Sequence, residues 1–298
     1  MANRQFSTAM VALDLSKLDE KLIRYAKFIG SKMDVKKFYF IHIVPDFSTI
    51  KNLDLDFSKK FAPEIPADEA ALKKLETEVK NIFGPAPETD YECMVVEGKP
   101  YQQLLHWAEL KNADLVIVGK KEISEGSGIH AKRVARNLKN ASVLFVTPDS
   151  REKVEKILVP IDYSENSARA LKFAKSIALN ESLAKITAGY VVDFPPTGYH
   201  LNEEEYHSFN QMLLDTAKTS YSEFLSRYEI NEAGTTYKIM ENAWHNIAGA
   251  ISEYADAGDF DLLIIGAKGH TPFEAFMFGS VTEKIVGQKS KTPILVVR

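Results

Sequence analysis

Asp261-Leu262-Leu263-Ile264-Ile265-Gly266-Ala267-Lys268-Gly269, followed after nine residues by Gly279-Ser280-Val281-Thr282, is the stretch on which the fold turns. A short apolar run that stops at a glycine, with a second glycine and a Gly-Ser pair at a fixed distance, reads as a buried parallel strand feeding a loop that opens a helix. Junctions of this kind hold phosphate in α/β proteins. Glycine permits positive φ and lets the backbone approach a ligand, while the free N–H groups of the first helical turn point at an anion. Ser280 and Thr282 add hydroxyl donors. A plain strand-to-helix connection with no ligand can have the same local sequence, so the remainder of the chain has to discriminate.

The 298 residues suffice for one large domain or two ordinary ones, and 45% hydrophobic with 26% charged residues fits a globular protein. A net charge of −4 gives no electrostatic case for nucleic acid, which calls for a basic face. There is no apolar run of about 18 residues for a membrane span, and Met1 to Phe6 lead into a strand-like run without the apolar core of a signal peptide. The one cysteine, Cys93, excludes an intrachain disulfide and suits a reducing compartment. These features predict a cytoplasmic protein.

In chain order, residues 6–16 form an apolar strand ending at Asp14 and Ser16, and 17–30 have helical spacing with Gly30 as the expected stop. A strand over 37–45, a polar stretch over 46–68, a helix over 69–83, a strand over 91–96, a helix over 101–110 and a buried strand over 114–119 follow. A helix around 130–138 and a strand over 142–147 close the series. Alternating strands and helices predict right-handed crossovers and a parallel sheet.

The series then repeats. Lys156-Ile157-Leu158-Val159-Pro160-Ile161-Asp162-Tyr163-Ser164 matches the opening strand, with Asp162 where Asp14 stood. A helix over 168–179, a strand over 185–192, a loop with Pro195-Pro196 and a helix over about 203–228 follow, then segments 237–240, 246–254, 261–266 and 293–297. Two copies of a unit of roughly 145 residues is the economical reading. It predicts domains at 1–148 and 152–298, joined near Pro148-Asp149-Ser150-Arg151.

The segment Ile157 to Ser167, with the Gly-x2-Gly-x9-Gly-Ser spacing of Gly266, Gly269, Gly279 and Ser280, resembles the universal stress proteins in their tandem, two-domain form. The resemblance covers nearly the whole chain. It implies two Rossmann-like α/β domains of the adenine-nucleotide-hydrolase type, each a five-stranded parallel sheet of order 3-2-1-4-5 with helices on both faces. It places a nucleotide at the switch point between strands 1 and 4, where open α/β sheets bind ligands. By that likeness Asp162 takes the adenosine part, the backbone of Val191 meets the adenine edge, and Pro160 and Ile265 flank it. Gly266 and Gly269 then line the phosphate path, while Gly279, Ser280, Val281 and Thr282 hold the phosphates. ATP is the implied cofactor, with magnesium or manganese on its phosphates, although no protein ligand set for a metal can be read.

The two copies differ at this point. The first reads Gly119-Lys120-Lys121-Glu122-Ile123-Ser124-Glu125-Gly126-Ser127-Gly128-Ile129-His130, and aligning Gly128 with Gly279 leaves eight residues after Gly119 against twelve after Gly266. Glu122 replaces Gly269, Ile129 replaces Ser280 and Ala12 replaces Pro160. A carboxylate where phosphate would approach and a lost hydroxyl weaken an anion site. The second copy is therefore expected to bind nucleotide and the first not, although Lys120, Lys121 and Lys132 could suit another anion.

Asp162 competes with Ser164 for the role of helix N-cap. His42 reads as a satisfied strand-edge histidine, and His200, His207, His245 and His270 show no metal spacing. Of these, His270 alone follows Gly269 in the loop. Cys93, Trp107 and Trp244 read as packing, the long segment 46–68 as a loop or lid, and 194–204 as a lid, a partner surface or, equally, a disordered stretch. A nucleotide-binding stress sensor or regulator is the expected function, with an unidentified protein partner and at most slow hydrolysis, because no general base and no Walker-type Lys-Ser/Thr follow the glycines. A scaffold with a vestigial loop and a slow ATPase or phosphotransfer enzyme are the alternatives. Cover for the fifth-strand edges suggests a pseudo-dimeric monomer or a homodimer.

Overall fold

A computed structural model describes residues 6–44, 67–85, 87–120, 136–138, 140–180, 184–193, 202–242, 246–269 and 278–298. The segments 46–66 and 194–201, the first copy's loop from Lys121 to His130, Lys132, His200, Trp244, His245 and His270 lie outside the described residues. The chain divides into two compact units, Gln5–Pro148 and Asp149–Arg298.

In the first unit the strands are β1 (Thr8–Leu13), β2 (Lys37–Val44), β3 (Asp90–Glu97), β4 (Leu115–Gly119) and β5 (Ser142–Val146). Helices α1 (Leu18–Met33), α2 (Ala67–Phe83) and α3 (Pro100–Leu110) connect them. The strand order is β3-β2-β1-β4-β5, every described pair parallel. Each element has a local cause. Pro100 sits in the first turn of α3, where its missing N–H costs nothing. Leu115 to Val118 are all buried, as a strand covered on both faces requires.

Gly30 does not stop α1, which runs on to Met33. The Phe38 ring of β2 lies against its Cα and fills the space a Cβ would take, so this glycine serves packing. The helix instead ends at Asp34, left-handed at φ 58°, whose N–H bonds the Gly30 carbonyl.

The second unit repeats the plan with β6 (Lys156–Pro160), α4 (Glu165–Asn180), β7 (Lys185–Val192), α5 (Glu203–Arg227) and β8 (Thr235–Glu241). It continues with α6 (Ile247–Ala257), β9 (Leu262–Gly266), α7 (Ser280–Gly287) and β10 (Ile294–Val297). The order β8-β7-β6-β9-β10, parallel throughout, is the 3-2-1-4-5 sheet again. All five residues of β9 are buried. Asn202 and Glu205 form a capping box that starts α5, each side chain accepting the other's backbone N–H, and Asn246 caps α6. Buried Asp261 anchors the second unit's start, accepting from the Glu155 and Lys156 amides and from Arg151. Among the described residues no helix is long and apolar enough to cross a membrane.

Candidate functional site

The switch point of the second unit opens because of one residue. Ile161 N–H donates to Gly189 of β7, so by alternation along β6 the position of Pro160 faces β9. Pro160 has no N–H to give. The β6–β9 register accordingly holds only at Ile157↔Leu262 and Leu158↔Leu263, whereas β9 stays paired with β10 as far as Gly266↔Val297. In the first unit Ala12 keeps its N–H, and the β1–β4 register runs four pairs, to Ala12↔Val118. The carboxyl ends of β6 and β9 are thus free of each other where open α/β sheets receive ligands.

Asp162 lies at the lip of this opening, half-buried. Its Oδ1 accepts from the Ser164 amide at 3.1 Å and the Ser164 hydroxyl at 2.6 Å. Ser164 in turn accepts the Ser167 amide at 3.3 Å, so the serine caps α4 and the aspartate orients the serine. The other carboxylate oxygen, Oδ2, lies against the Cα of Gly269, where any side chain would collide with it. Two residues 107 positions apart in the chain, singled out from sequence for one ligand, are therefore in direct apposition.

The four other loop positions have distinct jobs. A Cβ on Gly266 would come within 2.8 Å of the Asn166 backbone in the first turn of α4, so this glycine is required by close helix–strand packing. Gly279 donates its N–H to the Ala267 carbonyl at 2.8 Å and lies over the Lys268–Gly269 backbone, bringing the two ends of the loop together. Thr282, expected to offer a hydroxyl to the ligand, is buried and donates that hydroxyl to the Gly266 carbonyl at 2.9 Å, pinning α7 to the end of β9. Ser280 is exposed. Gly279 supplies no side-chain cap to α7, so the amides of Ser280, Val281 and Thr282 begin a helix whose positive end meets the space beside Gly269.

Val191 is buried on β7, two residues beyond the Gly189 partner of Pro160, and Ile265 is buried on β9. Behind them stands a tyrosine cluster that sequence reasoning missed. Tyr163, left-handed at φ 63°, stacks on Tyr190 with centroids 4.7 Å apart. Its hydroxyl is 2.9 Å from the Ala217 carbonyl of α5 and 2.8 Å from the Tyr237 hydroxyl. Burial pushes Tyr163 and Tyr190 up in pKa, and the Asp162 charge raises Tyr190 further. No spacing rule flags residues 163, 190 and 237, since only the sheet order brings them together.

The first unit has a different arrangement at the same place. Asp19, fully buried, turns back to accept the Leu15 amide at 2.6 Å and the Asp14 amide at 3.4 Å. Burial, then the Asp14 charge, push its carboxyl up to about 7. Ser16-x-x-Asp19 has capping-box spacing, but Asp19 reaches past Ser16 to the Leu15 and Asp14 amides and the N-cap residue of α1 makes no side-chain cap bond, so the spacing does not foretell these bonds.

Other candidates resolve into structure. His42 Nδ1 lies 3.0 Å from the Leu13 carbonyl, which can only accept, so Nδ1 carries the proton. Burial pushes the Cys93 thiol up to about 12, far from a reactive thiolate. Among the described residues no group of three His, Cys, Asp or Glu could hold a metal.

The sequence profile described as the universal stress protein family matches residues 5–146 and again 153–298. Universal stress protein MJ0531 of Methanocaldococcus jannaschii is 30% identical over 145 residues, 48% of this chain and 82% of that protein. Universal stress protein MJ0577 of the same organism is 28% identical, covering 48% and 94%. Among solved structures, a universal stress protein from Archaeoglobus fulgidus aligns over 99% of this chain and 98% of its own, at TM-score 0.61 and 15% identity. The Pseudomonas aeruginosa protein PA1789 does so over 99% and 94%, at TM-score 0.65 and 14% identity. At these identities the two structures speak for the fold alone.

Proposed function

The chain belongs to the universal stress protein family, and on that premise we propose that its second unit binds ATP and acts as a nucleotide-responsive regulator. The observation that carries this reading is the apposition of the Asp162 carboxylate with the bare Cα of Gly269, beside a helix start that no side chain caps. A nucleotide fits the donors and acceptors present. Asp162 Oδ2 can accept from a hydroxyl or amino group of the nucleoside, Val191 offers backbone groups at a strand end, and the α7 amides suit phosphate oxygens. Pro160 and Ile265 supply apolar walls. Gly269 without a Cβ leaves the Asp162 carboxylate its place beside the loop, and Ser280 can give the phosphates a hydroxyl. A divalent cation would come with the phosphates, since no group of acidic or imidazole side chains for one is found among the described residues.

Regulation is preferred to rapid catalysis because no described side chain stands as a positioned general base. His42 spends its Nδ1 proton on the Leu13 carbonyl in the other unit. Calorimetric titration of Mg·ATP into the full chain tests the proposal. One site per chain is expected, weakened at least about a hundredfold by Gly269→Glu, a loss of roughly 2.7 kcal/mol. Asp162→Ala should weaken it about tenfold, the worth of one charged hydrogen bond. Two equal sites, or full affinity in Gly269→Glu, would refute the assignment.

A further inference from the structure

Tyr163 is next in sequence to Asp162, and its side chain leads away from the opening to α5. The hydroxyls of Tyr163 and Tyr237 both lie within bonding distance of the Ala217 carbonyl, at 2.9 and 3.1 Å, and 2.8 Å from each other. Two hydroxyl protons serve these contacts, one given to Ala217 and the other to the neighbouring hydroxyl. The Tyr163 ring also stacks on Tyr190, which immediately precedes Val191, and meets Phe224 of α5 edge-on at 5.8 Å. Tyr163 thus adjoins Asp162 in the chain, stacks on the neighbour of Val191 and reaches a helix that carries no proposed ligand-binding position.

That helix is unevenly held. The buried residues of α5 are Ala217, Tyr221, Phe224 and Leu225, all in its second half, while residues 203–216 include none. Ala217 is the first point at which α5 is buried, and it is where Tyr163 attaches. An element with so few buried contacts sits at the low end of local stability and responds to small changes at its anchor. The first unit has the same left-handed backbone after its strand, at Leu15 with φ 59°, but no hydroxyl there. The backbone shape therefore belongs to the fold; the first unit links this position to α2 through the Lys74 ammonium, 3.4 Å from the Leu15 carbonyl, and among the described residues the tyrosine tether is found in the second unit.

We infer that Tyr163 couples occupancy of the site at Asp162 to the ordering of α5, making this helix the part of the protein that reports bound nucleotide. Tyr163 is a positioning residue in this account, acting through Asp162 on one side and Ala217 on the other. The inference rests on the nucleotide reading of the second unit and adds its output.

Hydrogen exchange of α5 peptides in the full chain, with and without saturating Mg·ATP, tests it alongside calorimetry. In the wild type, ATP slows exchange in α5 at least about threefold. Tyr163→Phe keeps the ring and its stacking, retains ATP affinity within about threefold, and loses that slowing. Tyr237→Phe removes a hydroxyl from the same cluster, leaves Tyr163 on Ala217, and keeps it. ATP binding with unchanged α5 exchange overturns the coupling alone, as does equal slowing in Tyr163→Phe or its loss in Tyr237→Phe. No ATP binding by calorimetry overturns the nucleotide reading and the coupling with it.

Discussion

The two units of this chain fold alike and differ where a ligand would sit, which separates what the fold needs from what a ligand needs. Both put a non-glycine residue in the left-handed region after the first strand's aspartate, Leu15 and Tyr163. Both end the fourth strand on a glycine pressed against the first helix, Gly119 on Leu18 and Leu22, Gly266 on Asn166. These shared features are structural. Among the described residues, Pro160, the Asp162–Gly269 apposition and the tyrosine tether are features of the second unit. The first unit instead keeps its strands paired through Ala12 and inserts a second carboxylate, Asp19, beside Asp14.

The contrast is sharpest at the shared glycines. A Cβ on Gly266 would meet the Asn166 backbone carbon and oxygen, both at 2.8 Å, and backbone in a helix turn cannot give way cheaply. On Gly119 it would meet Leu18 Cδ2 at 2.9 Å and Leu22 Cδ1 at 3.0 Å, the ends of flexible side chains. Gly266→Ala should destabilise the second unit by about 3 kcal/mol and Gly119→Ala the first by less than about 1 kcal/mol. Urea unfolding read by tryptophan emission measures each unit, with Trp107 reporting the first and Trp244 the second in single-tryptophan variants. Equal costs would show that the two helix–strand contacts are not as different as their atoms suggest.

Much of this was legible in the sequence because it depends on local pattern. Buried strands read as apolar runs, the internal repeat implies two domains, and the 3-2-1-4-5 order follows from the family resemblance. Asp162 stands out in the sequence as the acid that ends the strand, Gly269 and Gly279 by their spacing, and the structure sets the Asp162 carboxylate against Gly269. Gly266 and Thr282 were given to the ligand on the same pattern, yet the structure shows a packing contact for one and a buried hydrogen bond for the other. A sequence shows that a position excludes a side chain, not which neighbour excludes it. Gly30 reads as a helix stop from sequence, but its neighbour Phe38 lies on a different element, and Asp34 supplies the stop. The tyrosine cluster was invisible because its members are 27 and 47 residues apart along the chain and meet only after the sheet forms.

Asp19 makes the comparison depend on pH. Its carboxyl is raised from 3.8 to about 7 in the folded unit, first by burial and then by the Asp14 charge. A folded-state value above the unfolded one means that the folded unit holds the proton more tightly. The stabilisation is fully present below about pH 4 and is lost as pH rises through about 7. Between pH 5 and pH 8 the first unit should lose stability on the order of 2 kcal/mol. Asp19→Asn should flatten that dependence. The second unit has Ser167 at the equivalent position and should show no matching decline. Urea midpoints across this range, read by Trp107 in a Trp244→Phe background, decide the matter. A first unit equally stable at both pH values would mean that Asp19 is ionised throughout.

The smallest effect separates two hydroxyls in one helical turn. Ser280 and Thr282 both open α7, and both looked like phosphate donors from their spacing. Thr282 is 3% exposed and bonds the Gly266 carbonyl at 2.9 Å, whereas Ser280 faces solvent beside the loop. Replacing Thr282 by valine keeps the shape and leaves one carbonyl without its donor, at a cost of about 1 kcal/mol in the stability of the second unit. ATP affinity should stay within about twofold, because the Thr282 amide remains. Ser280→Ala should do the reverse, leaving the urea midpoint unchanged and lowering ATP affinity about fivefold, roughly 1 kcal/mol. If Thr282→Val instead lowers affinity at unchanged stability, its hydroxyl turns to the ligand when nucleotide binds. The bond to Gly266 would then be a resting position and not a structural pin, and α7 would be held to β9 only by packing.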